Sequence, residues 1–281
     1  MVDKSQSSVV QPRLASAIML LRDMPGGQRI EVFMVRRAIQ SDFMPDVYVF
    51  PGGSVSKDDR VAEQMEGICI PVSPAIADPE GRTILGSGAR AAAIRELFEE
   101  AGVLLAYRSE EILAIPETDV ARFTAYRQAF NQRKGSLVEI AHVENLQFAT
   151  DRLGYFAHWI TPEGMPRRFD THFFITTAPG EQQAAHDQSE TSEGVWISPQ
   201  EALDRSERNE FPLVFATIHQ LRELAAFKSV KEALETTAVQ HVTTHIPVLV
   251  QEHGVTRVYL PEDTANRWDV PEHMTKRREL C

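Results

Sequence analysis

Cysteine is nearly absent from this chain of 281 residues: Cys69 and Cys281 are the only two, too few for a disulfide framework and typical of a reducing compartment. Positive charge is in deficit as well. Lysine and arginine number 29 against 40 acidic residues, a formal net charge of -11, which excludes the broad basic surface that nucleic acid or an anionic membrane would require. No apolar run reaches membrane-spanning length, and Met1 to Gln11 has no signal-peptide core. Glu279-Leu280-Cys281 is not a peroxisomal address of the S-K-L type, so the expected location is the cytoplasm, with no membrane partner. Repeats and low-complexity tracts are missing too. The content of 43% apolar and 25% charged residues is that of a globular protein with a sizeable core, in one large or two ordinary domains.

Alternation and turn residues place short strands at Leu14 to Leu21, Ile30 to Val35 and Val47 to Phe50. Phe50-Pro51-Gly52-Gly53 then reads as a tight turn whose paired glycines let backbone approach a ligand. Ser54 to Gly88, with Pro71, Pro74 and Pro79, reads mostly as loop. Helices are expected at about Ala91 to Ala101, at Glu117 to Gln132, where Phe123, Tyr126 and Phe130 form a core-facing stripe, and at Leu137 to Leu146. Strands follow at Tyr155 to Ile160, Arg168 to Thr177 and Gly194 to Ile197, and Ser198-Pro199-Gln200-Glu201 opens another helix. The tail is helical from about Phe211 to Leu234, then a hairpin of Ile246 to Gln251 and Val255 to Leu260. The implied fold class is α+β, a sandwich of mixed sheet and flanking helices.

Arg95-Glu96-Leu97-Phe98-Glu99-Glu100-Ala101-Gly102-Val103 concentrates the chemistry. At about 100° per residue, Glu96, Glu99 and Glu100 share one helix face while Ile94, Leu97, Phe98 and Ala101 form an apolar one, and Gly102 offers a stop. Three like charges at this spacing repel, and a hard divalent ion with oxygen ligands compensates them. A bare acidic cluster is usually a solvated face; the glycine turn upstream argues for a ligand.

These residues resemble the Nudix box, in which a glycine turn precedes a helix bearing R-E-U-x-E-E-x-G-U, U being a bulky aliphatic residue. All seven specified positions match between Arg95 and Val103. The box departs from the usual pattern in two ways: Ser87 occupies the place of a glutamate, and an insertion of roughly Ser54 to Ser87 splits it. An interrupted box of this kind resembles the Nudix subgroup that includes the peroxisomal coenzyme A diphosphatase. The likeness extends to Arg37 through Phe43-Met44-Pro45, Trp159-Ile160-Thr161-Pro162, Arg167-Arg168-Phe169-Asp170-Thr171 and Trp196-Ile197-Ser198-Pro199.

The resemblance implies a Nudix α/β/α sandwich at 10–208, with a loop insertion at about 54–87 and a helical insertion at about 108–150, followed by a helical extension at 209–281 ending in a hairpin. It implies a Mg²⁺ or Mn²⁺ site formed by Glu96, Glu99, Glu100 and the Gly52 carbonyl, with Arg95 orienting a neighbouring glutamate. Glu96, Glu190 and Glu193 are candidate bases, and Glu80 is a candidate stand-in for the absent glutamate. Arg36, Arg37 and Arg168 are candidate phosphate binders, and Phe43 a stacking partner for a base. The expected partner is a small nucleoside diphosphate derivative, coenzyme A or acyl-CoA in the favoured case, with ADP-ribose or NADH as the rival substrate. A catalytically silent nucleotide-binding module is the rival outside catalysis. For the tail the sequence leaves two roles open, capping the pocket or forming a homodimer surface.

Overall fold

The computed structural model describes residues 10–27, 29–40, 44–72, 84–187 and 191–271. Strand β1 (Arg13–Asp23) is central. Ile18 and Leu20 enter one core while Met19 and Leu21 enter another, so the strand is buried on both faces, which explains its nearly unbroken apolar run. It pairs in parallel with β9 (Phe169–Thr177) and antiparallel with β2 (Ile30–Arg37). The sheet order is β10 (Thr191–Ile197), β2, β1, β9, β8 (Gly154–Ile160), β11 (Thr244–His245). β3 (Tyr48–Val49) pairs with β2, and β4 (Gly52–Ser54) with β1.

Three sequence expectations change here. The Gly52-Gly53 pair belongs to strand β4 rather than a free turn, because Gly52 and Gly53 are in register with Ala17 and Ser16. A Cβ on Gly52 would sit 2.6 Å from the Ser16 carbonyl oxygen, so the glycine is required by close approach to β1. The insertion is not mostly loop at its start: α1 (Lys57–Gln64) is a helix with a capping box, in which Ser56 Oγ accepts from Asp59 N and Ser56 N donates to the Asp59 carboxylate. The tail ends in a three-stranded meander, not a lone hairpin: β12 (Val248–Glu252), β13 (Val255–Leu260) and β14 (Asp263–Asp269) pair in sequence.

Helix α2 (Ala89–Ala101) lies on one sheet face; its alanines allow close packing on β1, and all its residues but Glu99 are buried. Its neighbours include α1 and α3 (Val120–Asn131). Phe123 and Phe130 of α3 are buried in the same core and Tyr126 packs against it, and Phe130 meets Phe98 edge-on at 6.1 Å. α4 (Leu137–Glu144) follows, capped by Ser136. A small sheet of β5 (Ala106–Arg108), β6 (Glu111–Ile112) and β7 (Gln147–Phe148), absent from the sequence reading, brackets these helices.

Side chains from α5 (Pro199–Glu207), α6 (Phe215–Leu224) and α7 (Val230–Thr237) enter the second core on the other sheet face, completing the α/β/α sandwich. The expected helix from Phe211 to Leu234 is thus two helices, because Ser229 starts a new one by accepting from Glu232 N at 3.1 Å.

Candidate functional site

The acidic residues of α2 are not an open surface. Glu96 and Glu100 are only 7% and 6% exposed, and Gly53 leaves so little room that a Cβ there would lie 2.4 Å from Glu96 Oε1. Arg95 gathers the carboxylates. Its Nη1 donates to Glu96 Oε1 at 2.8 Å and to Glu99 Oε1 at 2.9 Å, and its Nη2 to the Ser54 carbonyl at 3.0 Å. Glu100 turns the other way and accepts from Gly52 N at 3.1 Å.

A fourth carboxylate arrives from the insertion. Asp59, fully buried on α1, accepts from Arg95 Nε at 2.8 Å and from Nη2 at 3.0 Å in a paired bond. It thereby gives Arg95 a carboxylate partner from the inserted segment. Ser87 itself closes a local turn, donating to the Ile84 carbonyl at 2.6 Å and accepting from Ala89 N.

Both ends of α2 are held by inserted segments. At the start, where Gly88 (φ 87°) brings no capping side chain, Glu63 of α1 accepts from Gly86 N, Arg90 N and Ala91 N at 2.9, 3.2 and 3.4 Å. At the end, Gly102 (φ 71°) caps Phe98, and Arg127 of α3 donates to the Glu99 carbonyl at 2.9 Å, a cation at the negative helix terminus.

Electrostatically the cluster is short of positive charge. Three carboxylates, Asp59, Glu96 and Glu99, share the guanidinium of Arg95, while Glu100 turns to Gly52 and feels the charge of Arg127. Burial would lower the Arg95 pKa, but Glu96, Asp59 and Glu99 raise it further, so it stays charged. Burial pushes Glu96 up to about 7 despite the opposing pull of Arg95, with Glu99 adding repulsion. Buried carboxylates that share one guanidinium form a donor set that a hard divalent cation could take up.

The remaining candidates fall in different places. Glu193 is exposed on β10, in register with Arg36, where Tyr48 Oη donates to it at 2.6 Å and Arg36 stands 3.9 Å away. Arg36 follows Met34, which faces the second core, so this group lies on the sheet face turned from α2. Arg36 is also paired with Asp46 at 2.9 Å. Arg37 is half-buried at the end of β2, its backbone bonded to Val47 and Asp46. Arg168 is buried, and its Nε and Nη1 donate to the Thr161 and Val10 carbonyls at 2.9 Å each, so these two nitrogens brace backbone. Phe43, Glu80 and Glu190 lie outside the described residues. The segment before residue 188 is anchored beside the end of α2, with Ala185 N bonded to the Ala101 carbonyl and Asp187 to Thr191.

Sequence reasoning missed Asp59, Glu63 and Arg127. The signal for the first was present in Ser56-Lys57-Asp58-Asp59, a capping-box pattern. Beneath the sheet, an apolar cavity of about 180 Å³ lies between β8, β9 and the tail, lined by Trp159, Phe173, Phe215, Leu249, Val258 and Trp268 among others.

A mixed sheet between helical layers, carrying R-E-x-x-E-E on its central helix, defines a Nudix hydrolase of the diphosphatase class. More particularly, the chain belongs to the family described as the NUDT19 Nudix domain, whose model matches residues 79–224. Among curated relatives, the acyl-coenzyme A diphosphatase NUDT19 of Xenopus laevis is 26% identical over 268 residues, covering 83% of this chain and 70% of that protein. The putative nudix hydrolase 7 of Caenorhabditis elegans is 29% identical over 203 residues, covering 70% of this chain and 56% of that one. The crystal structure of a NUDIX hydrolase from Alicyclobacillus acidocaldarius superposes with a TM-score of 0.68 at 24% identity, covering 82% of this chain and 99% of that one, a likeness of fold. Among the described residues no helix is long and apolar enough to cross a membrane.

Proposed function

We propose that the protein hydrolyses the diphosphate of coenzyme A or an acyl-CoA, releasing adenosine 3',5'-bisphosphate and (acyl-)phosphopantetheine. Water adds to one phosphorus, the bridging P–O bond breaks, and the leaving phosphate takes the electron pair. The observation that carries the reading is the Arg95 cluster: Asp59 and Arg95 fix Glu96 and Glu99 beside Glu100, leaving excess negative charge where a cation and a phosphate can meet. Glu96, Glu99 and Glu100 would hold Mg²⁺ or Mn²⁺, with the Gly52 carbonyl a further candidate ligand. Such an ion shields the diphosphate oxygens and activates water. Proton removal falls to a carboxylate: Glu96 in the cluster, or Glu190 beyond the segment anchored at Ala185 and Asp187.

The coenzyme A preference rests on the Xenopus relative and its family. The intact carboxylate trio argues against a silent binding module. The test is a panel of coenzyme A, acyl-CoAs of increasing chain length, ADP-ribose and NADH with Mg²⁺ or Mn²⁺, read by product chromatography. Release of adenosine 3',5'-bisphosphate is expected; brisk ADP-ribose turnover with inert coenzyme A overturns the assignment.

A further inference from the structure

His158 on β8 and His172 on β9 are cross-strand partners, and their imidazoles stack with centroids 4.3 Å apart and planes 8° from parallel. One nitrogen of each ring is held by a hydroxyl: His158 Nδ1 lies 2.8 Å from Thr244 Oγ1 and His172 Nδ1 lies 2.8 Å from Tyr155 Oη. The other nitrogens turn to one carboxylate oxygen. His158 Nε2 is 2.5 Å and His172 Nε2 3.8 Å from Asp170 Oδ1, and the three residues can offer ligand atoms all within 4.8 Å of one another. Neither the acidic helix nor the proposed hydrolysis uses these groups.

We propose that His158, Asp170 and His172 form a second divalent-metal site that takes an imidazole-preferring transition ion such as Zn²⁺ in preference to Mg²⁺. The donor set is two histidines and one carboxylate, which suits zinc-class ions, whereas Mg²⁺ favours oxygen ligands and retains its water. The hydroxyls on the Nδ1 atoms are the outer contacts that fix a ligating ring. With bonds of about 2.0–2.1 Å, tetrahedral ligands stand roughly 3.3 Å apart, so Asp170 must retreat by less than about 1 Å from His158 and one imidazole must turn out of the parallel stack to aim its Nε2 lone pair at the ion. The ion takes the place of the hydrogen between His158 Nε2 and Asp170; the neutral ring then carries its one proton on Nδ1, donated to Thr244 Oγ1, and any second proton passes to solvent. Neutral imidazole is the ligating form.

The site is separate from the acidic helix. His172 is level with Ser16 on β1, and Ser16 with Gly53 on β4, which places the cluster two strand spacings, roughly 10 Å, from the Gly53 and Glu96 contact. Through Thr244 it ties β11, and with it the tail, to the central sheet.

The experiment titrates the chelator-stripped full chain with Zn²⁺ by calorimetry, and with Co²⁺ by visible absorption, in excess Mg²⁺ to occupy the acidic helix. One Zn²⁺ per chain, a Co²⁺ spectrum of imidazole ligation and a Zn²⁺-dependent rise in Tm are expected. Asp170→Asn should weaken Zn²⁺ binding at least tenfold, and His158→Asn should abolish the Co²⁺ spectrum. Circular dichroism of the stripped variants confirms folding; should His158→Asn unfold, the partly exposed Asp170→Asn decides. Absence of Zn²⁺ binding in excess Mg²⁺, or unchanged binding in folded variants, overturns the proposal.

Discussion

Asp59 and Arg95, 36 residues apart in sequence, are locked together by two hydrogen bonds of 2.8 and 3.0 Å inside the protein, with Asp59 fully buried. The segment that splits the box thus reaches back to the arginine at its centre. Removing one partner of a buried pair strands the other charge, at a cost of about 3–5 kcal/mol. Because Glu96 and Glu99 still face Arg95, Asp59→Asn is expected to lose about 3 kcal/mol, measured by urea unfolding in chelator.

Glu63 acts one helical turn further along α1. As the acceptor for three backbone donors at the head of α2, it serves as a cap supplied from another element. Glu63→Gln keeps one acceptor oxygen and should lose about 1 kcal/mol, while Glu63→Ala should lose about 2 kcal/mol. Equal stability of both variants with the parent would remove the capping role.

Glu96 should write a pH dependence onto the metal-free chain. Its pKa rises on folding from the ordinary 4.5 to about 7, so the native state binds more protons than the unfolded state between these values. That stabilising contribution is complete below about pH 4.5 and is lost as pH rises through 7. A cation needs the ionised form, so the increase in Tm caused by Mg²⁺ should grow over the same range. Tm against pH, with chelator and with Mg²⁺, checks both trends, and Glu96→Gln should flatten them.

The architecture was readable in the sequence wherever local pattern decided it. The apolar runs of β1 and β2 and the residues Arg95 to Gly102 announced the sheet and the helix, because burial on both strand faces and a helical carboxylate spacing leave direct traces. The partners of the site left weaker ones. Asp59 and Arg127 act across tertiary distance, and the proline-rich later part of the insertion obscured the short capping signal at Ser56. For Arg168 the sequence shows a charge but not the carbonyls of Thr161 and Val10 that meet its Nε and Nη1.

Arg168 supplies its own check. Arg168→Ala should lower stability by about 1.5–3 kcal/mol through lost bonds from a charged donor, while KM for the diphosphate substrate stays within about twofold in the folded fraction. A selective rise in KM without destabilisation would return Arg168 to the substrate site.

The most direct measurement is metal-dependent release of adenosine 3',5'-bisphosphate by the parent, Asp59→Asn and Ser87→Ala chains, each below its Tm. If Asp59 completes the split box, Asp59→Asn loses at least about tenfold in kcat, as about 1.4 kcal/mol of lost transition-state stabilisation requires, while Ser87→Ala stays near the parent. A fully active, folded Asp59→Asn chain, or a crippled Ser87→Ala chain, would contradict it.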